Sequence, residues 1–471
     1  MNNYLSIIPP FLTIFFAILT KRVVSSLVIG ITTGSFIIAN EANTNFFMET
    51  LKKFLQVVIS DNSVRFENLN IIIFLILLGT IISSMNRSGG IDKLSIYIIQ
   101  RVKTRLWAEL AIIFMGLLIF IDDYFNSLAV GSISQRVADK MKISRAKLAY
   151  YLDSTAGPVC IIAPISSWGA SIVVLLGSIL HEKNISSFTG ISLFIQSIPY
   201  NYYAILTVVM TILAAIFNLN FFHMKKMEES VPVEEESDSF EKVYLKECFE
   251  VLIPIITLFF STVFLMFLTG HLNSKKESFE IMAALQNSNI SFSLIAGGLL
   301  SIFSIFIIQL VNSEKRILTK NDLFHGVKLM IPAIVVLLLA WGLANTIRDL
   351  ETGKYIAEMT KELNISFQFI PLSLFLIAGV MAFSTGTSWA TFSMLLPIAT
   401  DVAQINNIES LPLLVGAVLG GSVFGDHCSP ISDTTVLSSV GAGCNHIDHV
   451  LSQMPYALIV AFVSGVFYLT T

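Results

Sequence analysis

The sequence predicts an all-α polytopic membrane protein, and three observations lead there. Hydrophobic residues make up 54% of the 471-residue chain and charged residues 13%, whereas charged residues alone are about a quarter of an ordinary soluble chain. Apolar stretches long enough to span a bilayer, singly or as broken pairs, recur from end to end. Several are interrupted by Pro, Gly and Asp at matching places in the two halves of the chain, a pattern that predicts broken helices or hairpins at the membrane midplane.

Taken in order, the apolar stretches lie near residues 4–20, 23–39, 69–85, 107–121, 146–181, 201–222, 247–271, 288–311, 326–346, 367–383, 409–440 and 450–470. No charged leader precedes the first and no small-residue cleavage site follows it, so it reads as a retained helix and not as a removed signal peptide. Two further segments, 124–139 and 386–400, are shorter and studded with polar residues, and are expected either to cross incompletely or to form hairpins. Membrane segments therefore number about 12 without these two and about 14 with them.

The basic residues suggest an orientation. With the amino-terminus outside and both short segments crossing, the inside collects Lys21 and Arg22, five residues between Arg87 and Arg105, and five between Arg136 and Lys147. Four more in the polar run and four between Lys315 and Lys328 bring the inside to about 20, leaving about 9 outside. The conspicuously polar run, residues 223–246, is rich in Glu and Ser and reads as a flexible cytoplasmic linker. It divides the chain into a first transmembrane repeat, 1–222, and a second, 247–471.

The halves rhyme. FIDDYFNSLAVGSISQRVAD and FSTGTSWATFSMLLPIATD each close an apolar span, with Asp139 matching Asp401, and APISSWGAS from Ala163 matches SPISDTTVL from Ser429. Seven crossings per half would invert the second copy relative to the first. The loop from Arg136 to Lys147 is strongly positive while its counterpart, 401–410, has no Lys or Arg, as inversion requires.

The stretch Ser422–Ser439, SVFGDHCSPISDTTVLSS, concentrates the polar chemistry. Pro430 lacks an N–H and clashes with the preceding turn, so a helix entering from Leu411 should break near Ser429. A break frees carbonyls; with Ser429, Ser432, Thr434, Thr435 and the acids Asp426 and Asp433 they make an oxygen-rich site suited to a hard cation such as sodium. Competition between a proton and that cation for one carboxylate would couple the two flows. The plainer reading makes Asp433 a helix cap and leaves Asp426 in a wet loop, but charge at membrane depth is costly unless a site is built around it.

GDHCSPISDTT resembles the signature of NhaC-type sodium/proton antiporters, and STGTSWATF, Ser384 to Phe392, resembles a second element common among them. The likeness extends from DDYFNSL at Asp122 to His446. It implies a polytopic secondary transporter moving sodium against protons. Some relatives carry organic anions such as malate and lactate, so the resemblance leaves the substrate open.

Other candidates follow from the same two criteria, polar chemistry at depth and a break. Asp153 lies in a span that then breaks through Pro158 and Pro164, and is either a proton carrier or a hydrogen-bonded helix-end acid. Asp122, Asp123 and Asn126 form either an ion vestibule or a wet loop. Ser166 belongs to the first-half copy of the motif, in which Ser167 stands for Asp433, Cys160 for Asp426 and Trp168 for Thr434. Trp168 either closes a cavity or packs between helices. Thr387, Ser388 and Trp389 follow Gly386, where a sharp turn would aim polar groups inward. His427 beside Asp426 is a pH-sensing candidate.

The leading expectation is sodium/proton antiport across the cytoplasmic membrane of a bacterium, with sodium held at Asp426 and Asp433 and no cofactor. The alternative is sodium- or proton-coupled transport of a small organic anion or amino acid, for which Trp168, Trp389 and Asn126 would line a larger pocket. An intramembrane enzyme is disfavoured by the lack of G-x-S-x-G and H-E-x-x-H motifs. His427, Cys428, Cys444, His446 and His449 lack the spacing of a zinc site, the four cysteines lack that of a disulfide framework, and no basic stripe suggests nucleic acid. The lipid bilayer is the one certain partner; homodimer formation is left open.

Overall fold

The structure is a computed structural model that describes residues 3–20, 22–60, 63–64, 66–120, 122–164, 166–231, 242–274, 280–311, 319–351 and 367–471. Backbone N–H and C=O groups at membrane depth must be satisfied inside their own segment, and the described chain is helical almost throughout. The first half contains α1 (Ile8–Thr20), α2 (Val23–Ala42), α3 (Phe46–Leu55), α4 (Phe66–Arg87), α5 (Gly90–Arg101), α6 (Arg105–Leu118), α7 (Asp123–Lys140), α8 (Arg145–Cys160), α9 (Ser167–Glu182), α10 (Gly190–Ser197) and α11 (Tyr202–Ile216). A short α12 (Phe222–Glu229) leads to the second half: α13 (Phe249–Ser274), α14 (Ile281–Gln286), α15 (Ile290–Val311), α16 (Lys320–Asp349), α17 (Ile370–Thr385), α18 (Ser388–Asn406), α19 (Leu411–Cys428), α20 (Asp433–Ala442) and α21 (His446–Thr470).

Every apolar stretch read from the sequence carries a helix. Six described helices are long and apolar enough to cross a bilayer unaided, or seven if the pair 190–200 and 202–216, bent by 48°, counts as one. The rest are shortened by breaks or carry polar residues. The segments expected to be hairpins or incomplete crossings are continuous helices of 18 and 19 residues, α7 and α18, each about 27 Å long. Polar residues led the sequence to understate them; in α7 Asn126, Ser127 and Ser134 are buried, as are Ser388, Thr391 and Thr400 in α18, and α7 is buried along most of its length.

The two halves repeat each other in packing as well as in order. α1 packs on α2 as α13 does on α15, and α2 meets α16 as α15 meets α4. α7 lies on α8 as α18 lies on α19, α11 on α19 as α21 on α8, and α7 crosses α20 as α18 crosses α9. Each of these contacts has a partner obtained by exchanging the halves, which is the arrangement of two copies about an internal two-fold. The largest buried core joins α6–α11 to α17–α21, so the two copies share one interior.

Small residues permit the central crossing of α7 and α20. A Cβ on Gly131 would lie 2.5 Å from the Gly441 carbonyl oxygen, and one on Gly441 would lie 2.2 Å from that of Ser127. The backbones touch, as small residues allow in membranes. Side chains at the ends of the crossings add matching ties: Gln135 Nε2 donates to the Gly441 carbonyl (2.8 Å) and Gln404 Nε2 to that of Lys183 (3.2 Å).

The polar run at 223–246 departs from the loose linker expected of its composition. Its first third is α12, anchored by buried Met224 and by Glu228, which ion-pairs with Arg105 and accepts from the Ser144 backbone N–H (2.7 Å). Residues 232–241, including Glu234 at its centre, lie outside the described residues.

Two expected outcomes follow from this architecture. Cysteines introduced at Lys142 and Ser410, in a background lacking Cys444, should react with an impermeant reagent from opposite faces of the membrane; labelling from one face would remove the inverted relation of the repeats. Gly441→Leu should force the α7–α20 crossing apart and lower the detergent-solubilised protein's thermal midpoint by several degrees, since overpacking costs about 1–3 kcal/mol.

Candidate functional site

Four helix breaks meet inside the shared interior. Between α6 and α7, Asp122 caps α7 by accepting from Phe125 N–H (3.0 Å). Between α8 and α9, Ser166 Oγ accepts from Gly169 N–H (2.8 Å) and donates to the Cys160 carbonyl (2.6 Å). In the second half Gly386, at φ +67°, ends α17 and leads into α18; a Cβ there would lie 2.6 Å from the Ile431 carbonyl oxygen, so this turn and the α19–α20 break press directly together. That last break spans 429–432, where Pro430 places it. Ser432 caps α20 by accepting from Thr435 N–H (3.3 Å). Ser166 and Ser432 hold the same position in the repeated motif and do the same work.

Asp433 is therefore the first residue of α20 and not its cap, although its Oδ1 accepts from Thr434 N–H (2.9 Å). Its Oδ2 accepts from Tyr124 OH at 2.6 Å, across the α7–α20 crossing. Asp426, in the last turn of α19, receives Ser388 Oγ (2.9 Å) and, at the limit of a hydrogen bond, Thr434 Oγ1 (3.5 Å) on Oδ2. In the first half Ser167 Oγ donates to Asp122 Oδ2 (3.0 Å), and Trp168 Nε1 donates to Asp123 Oδ1 (3.0 Å). Trp168 then meets Trp389 of the other half, ring centroids 5.3 Å apart.

All four acids are buried; Asp433, the most exposed, is at 8%. Asp123 Oδ2 and Asp426 Oδ1 are buried with no hydrogen-bond partner among the described residues. Nor does any described Lys or Arg pair with these four. The basic residues pair elsewhere, as Lys53 does with Glu49, Arg87 with Asp322, Arg145 with Asp139 and Lys183 with Asp401. An ionised carboxylate left this way is strongly destabilised.

Asp153 is the hub of a second, adjoining network. Its Oδ2 accepts from Gln453 Nε2 (2.6 Å) and Thr435 Oγ1 (3.1 Å), and its Oδ1 from Ser438 Oγ (3.3 Å). His449 Nε2 lies 3.7 Å and His427 Nε2 4.0 Å from the same carboxylate. Gln453 also donates to the His427 carbonyl (2.8 Å), and its Oε1 lies 3.0 Å from His449 Nε2. His427 Nδ1 shares a hydrogen bond with Tyr203 OH (3.1 Å). His446, set aside with the zinc reading, bonds Ser439 Oγ and the Pro430 carbonyl (2.8 Å), which fastens the break.

Of the residues singled out from sequence, Asp122, Asp123, Trp168, Ser388, Trp389, Asp426, Asp433 and Thr434 come together, with Ser432 beside them. Others serve the scaffold. Asn126 Nδ2 donates to the carbonyls of Gly116, Ile119 and Thr155, bracing the first break, while its Oδ1 is buried with no hydrogen-bond partner among the described residues. Ser429 Oγ donates to the Phe383 carbonyl (2.8 Å), Ser166 is consumed as a cap, and Thr387 sits at the start of α18 without a side-chain cap bond. Tyr124, Ser438 and Gln453 were missed. Tyr124 adjoins the Asp122–Asp123 pair and Gln453 is an amide inside an apolar span, which were the available signals.

A model of the Na+/H+ antiporter family matches residues 159–471. The chain is 38% identical over 468 residues to an uncharacterized protein of Haemophilus influenzae, covering 98% of this chain and 90% of that one. It is 31% identical over 153 residues to the Malate-2H(+)/Na(+)-lactate antiporter of Bacillus subtilis, covering 31% and 30% of the two chains. It is also 31% identical over 154 residues to the arginine/ornithine antiporter ArcD of Halobacterium salinarum, covering 32% and 31%. Among solved structures, the YdaH transporter of Alcanivorax borkumensis aligns with a TM-score of 0.42 at 11% identity, over 85% of this chain and 84% of that one. The chain belongs to the Na+/H+ antiporter family, and it is a multi-pass secondary transporter rather than an enzyme.

Proposed function

We propose that the protein exchanges sodium for protons across the cytoplasmic membrane of a bacterium, at the acids Asp426 and Asp433 and their neighbours. The observation that carries this reading is the pair of buried, unpartnered carboxylate oxygens in a cluster to which no described Lys or Arg contributes. Such a cluster alternates between protonated and cation-bound forms, because the empty ionised form is too costly at that depth. One set of carboxylates that takes either sodium or protons, opening to alternate sides as the two halves rock, exchanges one for the other without any further coupling device.

A second reading has its own support. The amino-terminal ends of α7, α9, α18 and α20 all approach the cluster, and amino-terminal helix ends favour negative groups. Two indoles, Trp168 and Trp389, add an apolar wall. A small carboxylate or an amino acid would suit those features, as the names of the Bacillus subtilis and Halobacterium salinarum relatives suggest. The sodium reading is preferred because an organic anion would meet four acids with no guanidinium or ammonium among the described residues to receive it.

Asp433→Asn keeps shape and leaves α20 capped by Ser432, so it should insert and fold yet lose sodium-driven proton movement in everted vesicles. Asp433→Glu should retain part of the activity with weakened sodium affinity, since the charge stays while the oxygens shift. Normal exchange by purified Asp433→Asn would refute the assignment. Trp168→Ala should change apparent affinity or substrate range several-fold while the protein remains folded. Lost thermal stability with unchanged affinity would make Trp168 a packing residue, and sodium-dependent uptake of a labelled carboxylate would favour the second reading.

A further inference from the structure

The proposed sodium chemistry assigns one cation region, but the two orphaned carboxylate oxygens do not belong to one place. Asp426 Oδ1 lies in the second half, at the meeting of the last turn of α19, the first residue of α18 (Ser388) and the second residue of α20 (Thr434). Asp123 Oδ2 lies in the first half, at the first residue of α7, bonded through its other oxygen to the second residue of α9 (Trp168). Exchanging the halves carries α18 to α7, α19 to α8 and α20 to α9. The two oxygens thus occupy equivalent corners of the two-fold arrangement, with the acid supplied from a helix end in one copy and from a helix start in the other.

Each corner has the make-up of a small cation site. At the second-half corner the carboxylate is accompanied by the hydroxyls of Ser388 and Thr434, with Ser432 bonded to Thr434 (2.9 Å). At the first-half corner Asp122 and the Ser167 hydroxyl stand beside Asp123, and Cys160, in the position that corresponds to Asp426, gives its thiol to the Phe120 carbonyl (3.3 Å). The carboxyl ends of α8 and α19 point to their corners, and such ends attract cations. Among the described residues no three His, Cys, Asp or Glu side chains are grouped to hold a metal. Each corner therefore offers one free carboxylate oxygen, flanked by hydroxyls in the second half and by the Asp122 carboxylate with its Ser167 hydroxyl in the first, oxygen sets suited to a hard cation and poor for a transition metal.

We propose that the protein carries two sodium sites related by its internal two-fold, one at Asp426 and a second at Asp123. Asp433 lies within electrostatic reach of both Asp426 and Asp123, and Tyr124, next in sequence to Asp123, holds it. Occupancy at one corner is thereby felt at the other. This pairing rests on the sodium reading above and adds a count to it.

The test is equilibrium binding of radioactive sodium to the purified full-length protein. Wild type should bind two sodium ions per chain, Asp123→Asn one, Asp426→Asn one, and the double variant none. Wild type binding a single ion that Asp123→Asn retains would overturn the second site while leaving the sodium reading intact. No bound sodium in wild type would overturn both. Should Asp123→Asn fail to fold, Trp168→Phe removes the indole donor to Asp123 and keeps an aromatic ring. It should weaken one of the two binding phases several-fold and leave the other unchanged, whereas equal weakening of both phases, or none, would refute the paired sites.

Discussion

Uncompensated carboxylates at helix breaks are the constraint around which this molecule is arranged. Asp122, Asp123, Asp426 and Asp433 are buried without a described basic partner, a costly state at membrane depth that marks a functional-site candidate. The breaks themselves are what make the acids useful. Irregular backbone at depth survives only when buried in protein or lining a cavity, and here each break is closed by its own caps: Ser166 and Ser432 on the amino-terminal sides, and Asn126 and His446 bracing carbonyls that the helices leave free. Fixing the backbone so thoroughly with neutral groups leaves the carboxylates as the elements free to change state.

The second network shows how a change at the cluster can reach the rest of the fold. Asp153 on α8 is bonded to Thr435 and Ser438 on α20 and to Gln453 on α21, and Gln453 reaches back to α19 through the His427 carbonyl. Three second-half helices are thus tied to one first-half acid, two residues along α20 from Asp433. A movement of α20 cannot leave this network as it was. At the far end of α8 the buried pairs of Glu109 with Arg105 and Lys147, joined by Glu228 of α12, fasten the helix to the polar connection between the halves. α8 therefore spans from the cluster to the connector. Its buried length carries the acid–amide bond of Asp153 at its middle and the ion pair of Lys147 near its start.

Much of this was legible in the sequence for a simple reason. Hydropathy, prolines and charges in apolar surroundings are local quantities, and the bilayer makes them decisive, since no other environment accepts such a composition. The helical membrane class, the break at Pro430, the repeat of APISS in SPISD and the acids of the motif follow from those quantities alone. Local reading failed where polarity was ambiguous: α7 and α18 looked too polar to be continuous helices because nothing in the sequence says that residues such as Asn126, Ser127, Ser134, Ser388 and Thr391 are buried against protein. Similarly, the linker's first turns read as loose because the partner of Glu228 is 123 residues away at Arg105.

Only the tertiary structure decided which polar residues meet. Tyr124 and Asp433 are 309 positions apart and Asp153 and Gln453 300 apart, and hydrogen bonds of that reach depend on the crossing of α7 with α20, where Gly131 and Gly441 let two backbones touch. The same folding gave Ser166 and Ser429, which the sequence grouped with the ion ligands, hydrogen bonds to backbone groups at the breaks. What the amino-acid sequence determined by itself is the environment and the chemistry, because burial in lipid selects composition residue by residue. The three-dimensional packing determined the partners and the left-over oxygens, because those depend on the exact approach of helices from opposite halves.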